Sequence, residues 1–489
     1  MKKTGIKKVV SATMTTPAYP DERGRNIVRQ KRTLKQEPDL FEHTPGNYLE
    51  SGIISRILRW PQYQTAVHIL TTAVFLLIIY SGLTGGNDQK MVEGSVFATA
   101  FVWDIWHPLL AFSILIIGRF WCSVCPLGAI HSWVSRTFSL NRKYPEKFRN
   151  VWIAIALFIF VTAAERHLFR FTRNPEATAF LLLTFLGIAI VMGMVYEKRT
   201  FCKFVCPTGL VLGVFSMISG SELRCSSKDV CKAHKDKECL TGNEHGHGCP
   251  MYEFPQTMER NNSCIYCTQC IKTCSKNNIR VSTRPLGMDV LKSKKVYPDE
   301  AFFVHSITVI MFFLMGMEHT PFRNRIIELV HWLGIDRNIM AVVILTGISI
   351  SAVLLMYLAM RGTHDQQHAR NRFVSYSYAF IPLGLAAYMA WNLFKLIRGI
   401  FFGMYEVTHW AGLNIINGNP SLDYGTINLL QILILIAGFV FSLWLGYGLS
   451  RSQNGNRLAG SGIAGAFAVM TLYTAIGLWI LTLPVLDMT

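Results

Sequence analysis

Gly118-Arg119-Phe120-Trp121-Cys122-Ser123-Val124-Cys125-Pro126-Leu127-Gly128 closes one apolar stretch, and Lys198-Arg199-Thr200-Phe201-Cys202-Lys203-Phe204-Val205-Cys206-Pro207-Thr208-Gly209 closes another. Arg, aromatic, Cys, Cys-Pro and Gly recur in the same order, with one extra residue in the second copy. Such a recurrence marks a duplicated two-helix unit. Two parallel spans reach one face, so Cys122, Cys125, Cys202 and Cys206 are expected to converge and hold one [4Fe–4S] cluster. The alternative, four unligated interfacial cysteines, needs the whole signature to recur by chance. Proline after the second Cys is expected to end the helix and let the chain turn round a bulky group. Arg119 and Arg199 are expected to neutralise an anionic centre and to reach lipid phosphates.

Working outward, the composition is that of a membrane protein. Of 489 residues, 51% are hydrophobic and 16% charged, and mean hydropathy is +0.30. That excludes disorder and leaves too few charges to cover a water-soluble globule. Apolar runs predict nine spans, at about 62–83, 97–118, 150–168, 176–196, 300–317, 339–360, 374–397, 427–449 and 463–485, the fifth being short. Residues 1–55 are polar and basic with no apolar core, so the first span is expected to be an uncleaved anchor.

The net charge of +18 follows from basic loops, with no aromatic-interleaved basic patch that would suit nucleic acid. Lys2, Lys3, Lys7, Lys8, Arg29, Lys31, Arg32 and Lys35 precede the first span; Arg136, Arg142, Lys143, Lys147 and Arg149 follow the second. The loop at 84–96 has one lysine, whereas Arg166, Arg170, Arg173, Arg323, Arg325 and Arg337 blur the rule. The majority predicts a multi-pass protein of a prokaryotic inner membrane, N-terminus and cysteines on the cytoplasmic side. Disulfides are disfavoured there, and thiolate–metal ligation is the live chemistry.

The remaining cysteines fall within 221–298. Cys264, Cys267, Cys270 and Cys274 have the C-x2-C-x2-C-x3-C spacing of bacterial ferredoxins, with Ser275 where proline usually stands. Cys225, Cys231, Cys239 and Cys249-Pro250 are irregularly spaced. Twelve cysteines make three sets of four. In two-cluster ferredoxins the fourth Cys of a run serves the other cluster. That habit would join Cys249 to Cys264, Cys267 and Cys270, and Cys274 to Cys225, Cys231 and Cys239; spacing alone leaves the pairing open. A zinc knuckle with His234, His245 or His247 is the competing arrangement, although these histidines lie in a glycine- and charge-rich loop that suits solvent. No Ser/His/Asp set, HExxH or glycine-rich phosphate cradle stands in the chain, so it offers ligands for electron carriers rather than groups for bond chemistry.

The paired Arg-aromatic-Cys…Cys-Pro-x-Gly ends, followed by the ferredoxin run, resemble the polyferredoxin-type membrane proteins, whose familiar members are NapH, NosR and CcoG. The likeness covers about residues 60–285. The run Gly242-Asn243-Glu244…Gly248-Cys249-Pro250…Phe254-Pro255…Met258 is similar to a branch known only as 4Fe–4S membrane proteins. The resemblance implies electron transfer at the cytoplasmic face, connected to the quinone pool and an extracytoplasmic reductase or cytochrome. CcoG-like members imply the alternative of an assembly or metal-reducing factor. The first pair here is C-x2-C-P where the family commonly has C-x3-C-P, and the five C-terminal spans fall outside the likeness.

His68, His107 and His305 lie in spans and are candidates for haem b, which needs histidines paired at one depth. The segment around His68, Ser81-Gly82-Leu83 included, is similar to the first helix of the b-type cytochrome subunits of formate dehydrogenases. Asp104, Glu165, Glu318 and Glu406 are intramembrane or interfacial carboxylates. Residues 399–426, with Phe401, Phe402, Tyr405 and Trp410, read as an interfacial element over a quinone site or a simple anchor. His364 and His368 read as solvated.

The sequence thus predicts an all-α polytopic membrane protein of about nine spans. It divides into a basic tail (1–55), a duplicated two-helix unit (56–220), a small cytoplasmic ferredoxin-like iron–sulfur insert (221–298) and a five-span bundle (299–489). Three [4Fe–4S] clusters are expected to pass single electrons between a soluble cytoplasmic redox protein or enzyme subunit and quinone or an outer-face carrier. Lys232, Lys235 and Lys237 are expected to steer docking.

Overall fold

A computed structural model of the chain describes residues 28–29, 47, 49, 52–60, 62–84, 97–165, 169–361, 366–410, 424–452 and 459–484. Most of the basic tail, Lys90, Arg166, His364 and the side chains of His368, Phe402, Tyr405, Glu406 and Trp410 lie outside the described residues.

Long charge-free runs of Leu, Ile, Phe, Ala and Gly must satisfy their backbone groups internally when water is absent, so they wind into helices. In chain order the longer helices are α1 (Gly52–Arg59), α2 (Tyr63–Thr84), α3 (Phe97–Ile117), α4 (Pro126–Thr137), α5 (Trp152–Ala164), α6 (Pro175–Val195) and α7 (Pro207–Phe215). The second half contributes α8 (Pro298–Gly316), α9 (Thr320–Leu333), α10 (Arg337–Ala359), α11 (Gln366–Ser377), α12 (Ile381–Trp410), α13 (Tyr424–Ser452) and α14 (Ala459–Leu481). Proline opens α4, α6, α7 and α8, where its missing N–H would have had no intrahelical partner. Among the described residues eight helical stretches are long and apolar enough to cross a membrane, one of them running from α11 into α12. The protein is therefore a helical, multi-pass membrane protein. Ile69, Leu70, Leu76, Leu77 and Tyr80 of α2 are exposed, as a lipid-facing stripe requires. In contrast, α8 is buried almost throughout and forms the axis of the second half.

The third predicted span, 150–168, is the short α5. Thirteen helical residues rise only about 20 Å, less than the ~30 Å hydrocarbon layer. Its ends nevertheless lie at opposite ends of the bundle. The Val151 amide donates to Asp299 Oδ2 at the start of α8 (2.9 Å), and Phe171 stacks on Trp103 in the first turns of α3. The chain thus crosses between these points on a helix too short to span alone.

The cysteine-bearing segments gather at one end of the bundle. They follow the C-termini of α3 and α6 and precede α8. Gln64 at the start of α2 accepts from Gln269 Nε2 (2.6 Å), and a Cβ on Gly287 would meet Leu445 and Phe441 near the end of α13. The segment after α7 forms a two-stranded antiparallel sheet. There β1 (Ser221–Cys225) pairs with β2 (Ile279–Thr283), Leu223 opposite Val281. Because β1 ends on Cys225, the sheet fixes one thiol directly.

Buried ion pairs tie this insert to the bundle. Arg260 donates to both oxygens of Glu300 (2.8 and 3.0 Å), and Tyr378 Oη to Glu300 Oε2 (2.6 Å). Arg224 and Arg284 both pair with Asp289, which also accepts from the Asn261 amide. Close pairing with opposite charge, backed by further hydrogen bonds, lets buried charges persist.

Candidate metal centre

The two repeat copies share one backbone path. Gly118 and Lys198, each just before the arginine, both have φ +55°. A short helix follows in each copy, Trp121–Val124 and Thr200–Phe204. Cys125 (φ −65°, ψ 127°) and Cys206 (φ −67°, ψ 118°) then adopt nearly equal extended conformations. The short helices end before Pro126 and Pro207, as expected, and each proline also opens the next helix. The extended cysteine between two helices is what turns its thiol inward.

The arginines are exchanged between the copies. Arg119 NH2 donates to the Cys202 carbonyl (2.8 Å), while Arg199 NH1 donates to the Cys122 carbonyl (2.8 Å). Arg119 also gives Nε to Cys122 Sγ (3.4 Å) and NH1 to the Asn262 carbonyl (2.8 Å). Arg199 gives Nε to Ser132 Oγ (2.7 Å). Both side chains are buried, 4% and 2% exposed. The expected reach to lipid phosphates is thereby overturned, because the guanidinium contacts are turned inward, to the opposing repeat, to Cys122 and to Asn262 of the insert.

This exchange explains the glycine of each Cys-Pro-x-Gly. A Cβ on Gly128 would stand 3.0 Å from Arg199 NH1, and one on Gly209 would stand 2.9 Å from Arg119 NH2 and 2.7 Å from the Cys202 carbonyl. Gly209→Ala is expected to push Arg119 out of its seat and to remove metal bound by the boundary thiols. Metal content per chain, compared with a control alanine at the open position Gly187, checks this.

The twelve thiols form three overlapping neighbourhoods, Cys239 belonging to two of them. Cys206 interacts electrostatically with Cys202, Cys122 and Cys125. Cys270 interacts with Cys267, Cys264, Cys249 and Cys239. Cys239 interacts with Cys231 and Cys274, and Cys225 with Cys231. The neighbourhoods adjoin one another. Cys122, Cys202, Cys206, Cys249 and Cys267 share one apolar cluster with Phe201, Met251 and Ile265. Cys239, Cys264, Cys270 and Cys274 share another with Leu223 and Ile279. The chain around 231, 239 and 274 faces water, in a cleft lined by Cys231, Cys239 and Cys274 with His234, Lys237 and the half-exposed Val230, while Cys225 is buried behind it.

Backbone and side-chain N–H groups point at these sulfurs. Gly209 N donates to Cys206 Sγ (3.3 Å), Glu253 N to Cys249 Sγ (3.4 Å), and Asn278 N to Cys274 Sγ (3.3 Å). Asn278 Nδ2 donates to Cys231 Sγ (3.1 Å). Tyr266 and Thr268 are left-handed (φ 54° and 62°) within the ferredoxin run, and such alternation turns successive amides towards an anion. Burial pushes the thiols up: Cys202 and Cys264 to about 12, Cys225 and Cys239 to about 11. Bare, they are protonated at neutral pH, so a metal must displace protons to bind. Among the described residues no three His, Cys, Asp or Glu side chains close on a point as one metal ion's ligands would. Gathered soft thiols with N–H donors aimed at them fit a multi-iron cluster.

The histidines named as haem candidates have separate partners. His68 Nε2 bonds the Ser123 carbonyl (2.6 Å). His107 lies between Asn392 Oδ1 (3.2 Å) and Tyr388 Oη (2.9 Å). His305 Nε2 meets Ser377 Oγ (3.0 Å). Among the described residues no hydrogen bond or ring contact brings any two of them together. The carboxylates are engaged as well: Asp104 with Arg398 (2.8 Å), Glu165 with Thr172 (2.7 Å) and Glu318 with Trp391 (3.2 Å). Asp104 lies on a π-helical stretch, Ala100–Trp106, inside α3. In the insert, His245 is exposed beside Glu244, and His234 Nε2 is 3.7 Å from Glu238.

A helical membrane bundle with a thiol-loaded end, built on a duplicated hairpin, is the class that fold and site define. A family model described as a 4Fe-4S binding domain matches the chain twice, over residues 99–145 and 178–224. Those stretches hold the two Cys-Pro pairs and their arginines, and the matches support 4Fe–4S clusters and an iron–sulfur electron-transfer role. An uncharacterised protein of Methanocaldococcus jannaschii is 24% identical over 222 residues, which cover 44% of this chain and 81% of the relative. No solved structure matches.

Proposed function

We propose that this chain is an electron-conducting membrane subunit of the polyferredoxin type, holding three [4Fe–4S] clusters at the cytoplasmic face. Cys122, Cys125, Cys202 and Cys206 would hold the one at the membrane boundary. Cys249, Cys264, Cys267 and Cys270 would hold the middle one, and Cys225, Cys231, Cys239 and Cys274 the outermost. Bound there, such clusters supply one-electron redox chemistry. The observation that carries the reading is the contiguity of the three thiol neighbourhoods, from a solvent-facing cleft to the ends of α3 and α6. The protein's part is to exclude water, aim N–H donors at sulfur and present the outermost set to a partner. The far acceptor is quinone or a carrier on the outer face.

Exposed Lys228, Lys232, Lys235, Lys237 and Lys276 surround the cleft, interrupted by Asp229 and Asp236. Excess positive charge suits an acidic, soluble one-electron carrier and accelerates encounter at low salt. Charge reversal at Lys232 and Lys235 together is expected to slow second-order reduction by such a carrier about tenfold at low ionic strength and to flatten its salt dependence. Stopped-flow spectroscopy on anaerobically purified protein reads both. An unchanged rate would place the electron donor elsewhere, and co-purification with a metalloenzyme awaiting its metal would favour the assembly-factor alternative.

A further inference from the structure

We propose that Arg119 and Arg199 are positioning residues that set how readily the boundary site accepts an electron, with Arg199 the cation shared between the boundary set and the middle set. This rests on the iron–sulfur reading.

Both guanidiniums are buried, and among the described residues no carboxylate pairs with either. Their partners are neutral: the carbonyls of Cys122, Cys202 and Asn262, and Ser132 Oγ. An uncompensated buried charge is strongly unfavourable. Three other buried arginines follow that rule, since Arg260 has Glu300, and Arg224 and Arg284 have Asp289. The pair at the repeats breaks it, so the compensating negative charge has to belong to what the four thiols hold. Four thiolates around an oxidised cubane core leave a net charge of about −2, which two guanidiniums match. One more electron adds negative charge beside cations already in place, and neighbouring positive charge raises a reduction potential.

The two arginines are not equivalent. Arg119 donates Nε to Cys122 Sγ. Arg199 spends its Nε on Ser132, and its backbone amide donates to the Pro250 carbonyl (3.0 Å), beside Cys249 of the middle set; so seated, its charge acts on Cys125 and Cys202 and also on Cys267. The asymmetry has a sequence cause: where the first copy has Ser132, the second has Gly213, which makes room for Arg119 to reach the Asn262 carbonyl. Removing the charge of Arg199 should therefore lower the boundary potential, and the middle one less.

The test is a dithionite titration of full-length protein in nanodiscs, followed by low-temperature EPR with iron counted per chain, on wild type, Arg199→Gln and Arg199→Lys. The expected result is a lower boundary potential in Arg199→Gln at undiminished iron, with Arg199→Lys close to wild type. Boundary iron lost from Arg199→Gln but kept by Arg199→Lys also supports the proposal, because the charge is then what the site needs. Wild-type potentials in an iron-replete Arg199→Gln overturn it. Loss of boundary iron from both variants overturns it too, leaving the guanidinium a scaffold only. A wild type that binds no iron is a different result and sinks the iron–sulfur reading itself.

Discussion

Cys202→Ser is expected to remove about four of about twelve irons per chain and to abolish electron delivery into the membrane. The insert's reducible signals should remain. Cys202 is the boundary thiol buried among Phe201, Phe204 and Val205. A serine fits the space but is a poor, hard ligand for iron. Reduction of a lipid-soluble acceptor in proteoliposomes should fall to background while dithionite still reduces the insert. Loss of every EPR signal would instead mean that the three neighbourhoods assemble as a single unit.

The second large effect concerns the seat of the insert. Arg260→Met is expected to destabilise the folded protein by about 3–5 kcal/mol, because Glu300 is left charged and buried without its guanidinium. Tyr378 and Asn262 would still reach that carboxylate, but neither neutralises it. Replacing both members, Arg260→Met with Glu300→Met, is expected to recover a large part of the loss, since a well-packed apolar pair often equals a buried ion pair. The thermal midpoint in detergent measures both. A single variant as stable as wild type would show that the insert is held by its apolar contacts alone.

Much of the architecture is legible in the sequence because lipid imposes a simple rule: apolar runs of bilayer length become helices. The repeat is legible because each copy carries the same chemical signature at the same place. Three features are not. The short α5 defeats length counting, since its thirteen helical residues are fewer than a span needs. The role of Pro126 and Pro207 is ambiguous in sequence because proline both ends one helix and begins the next. The exchange of Arg119 and Arg199 is a tertiary contact that no local pattern encodes. Its one trace is the glycine at 128 and 209, present in both copies and explained by neither turn nor helix propensity until the opposing guanidinium is seen against it. The intramembrane histidines show the converse. His107 looks like a ligand in a span, and the structure occupies both its nitrogens with Asn392 and Tyr388.

The central claim is that these sulfurs serve iron. Metal and acid-labile sulfide analysis of the anaerobically purified full-length protein, with EPR of the dithionite-reduced state, tests it most directly. About twelve irons and as many sulfides per chain, with reducible cubane signals, is the result expected. Zinc in place of iron, or cysteines recovered as disulfides, would contradict the account.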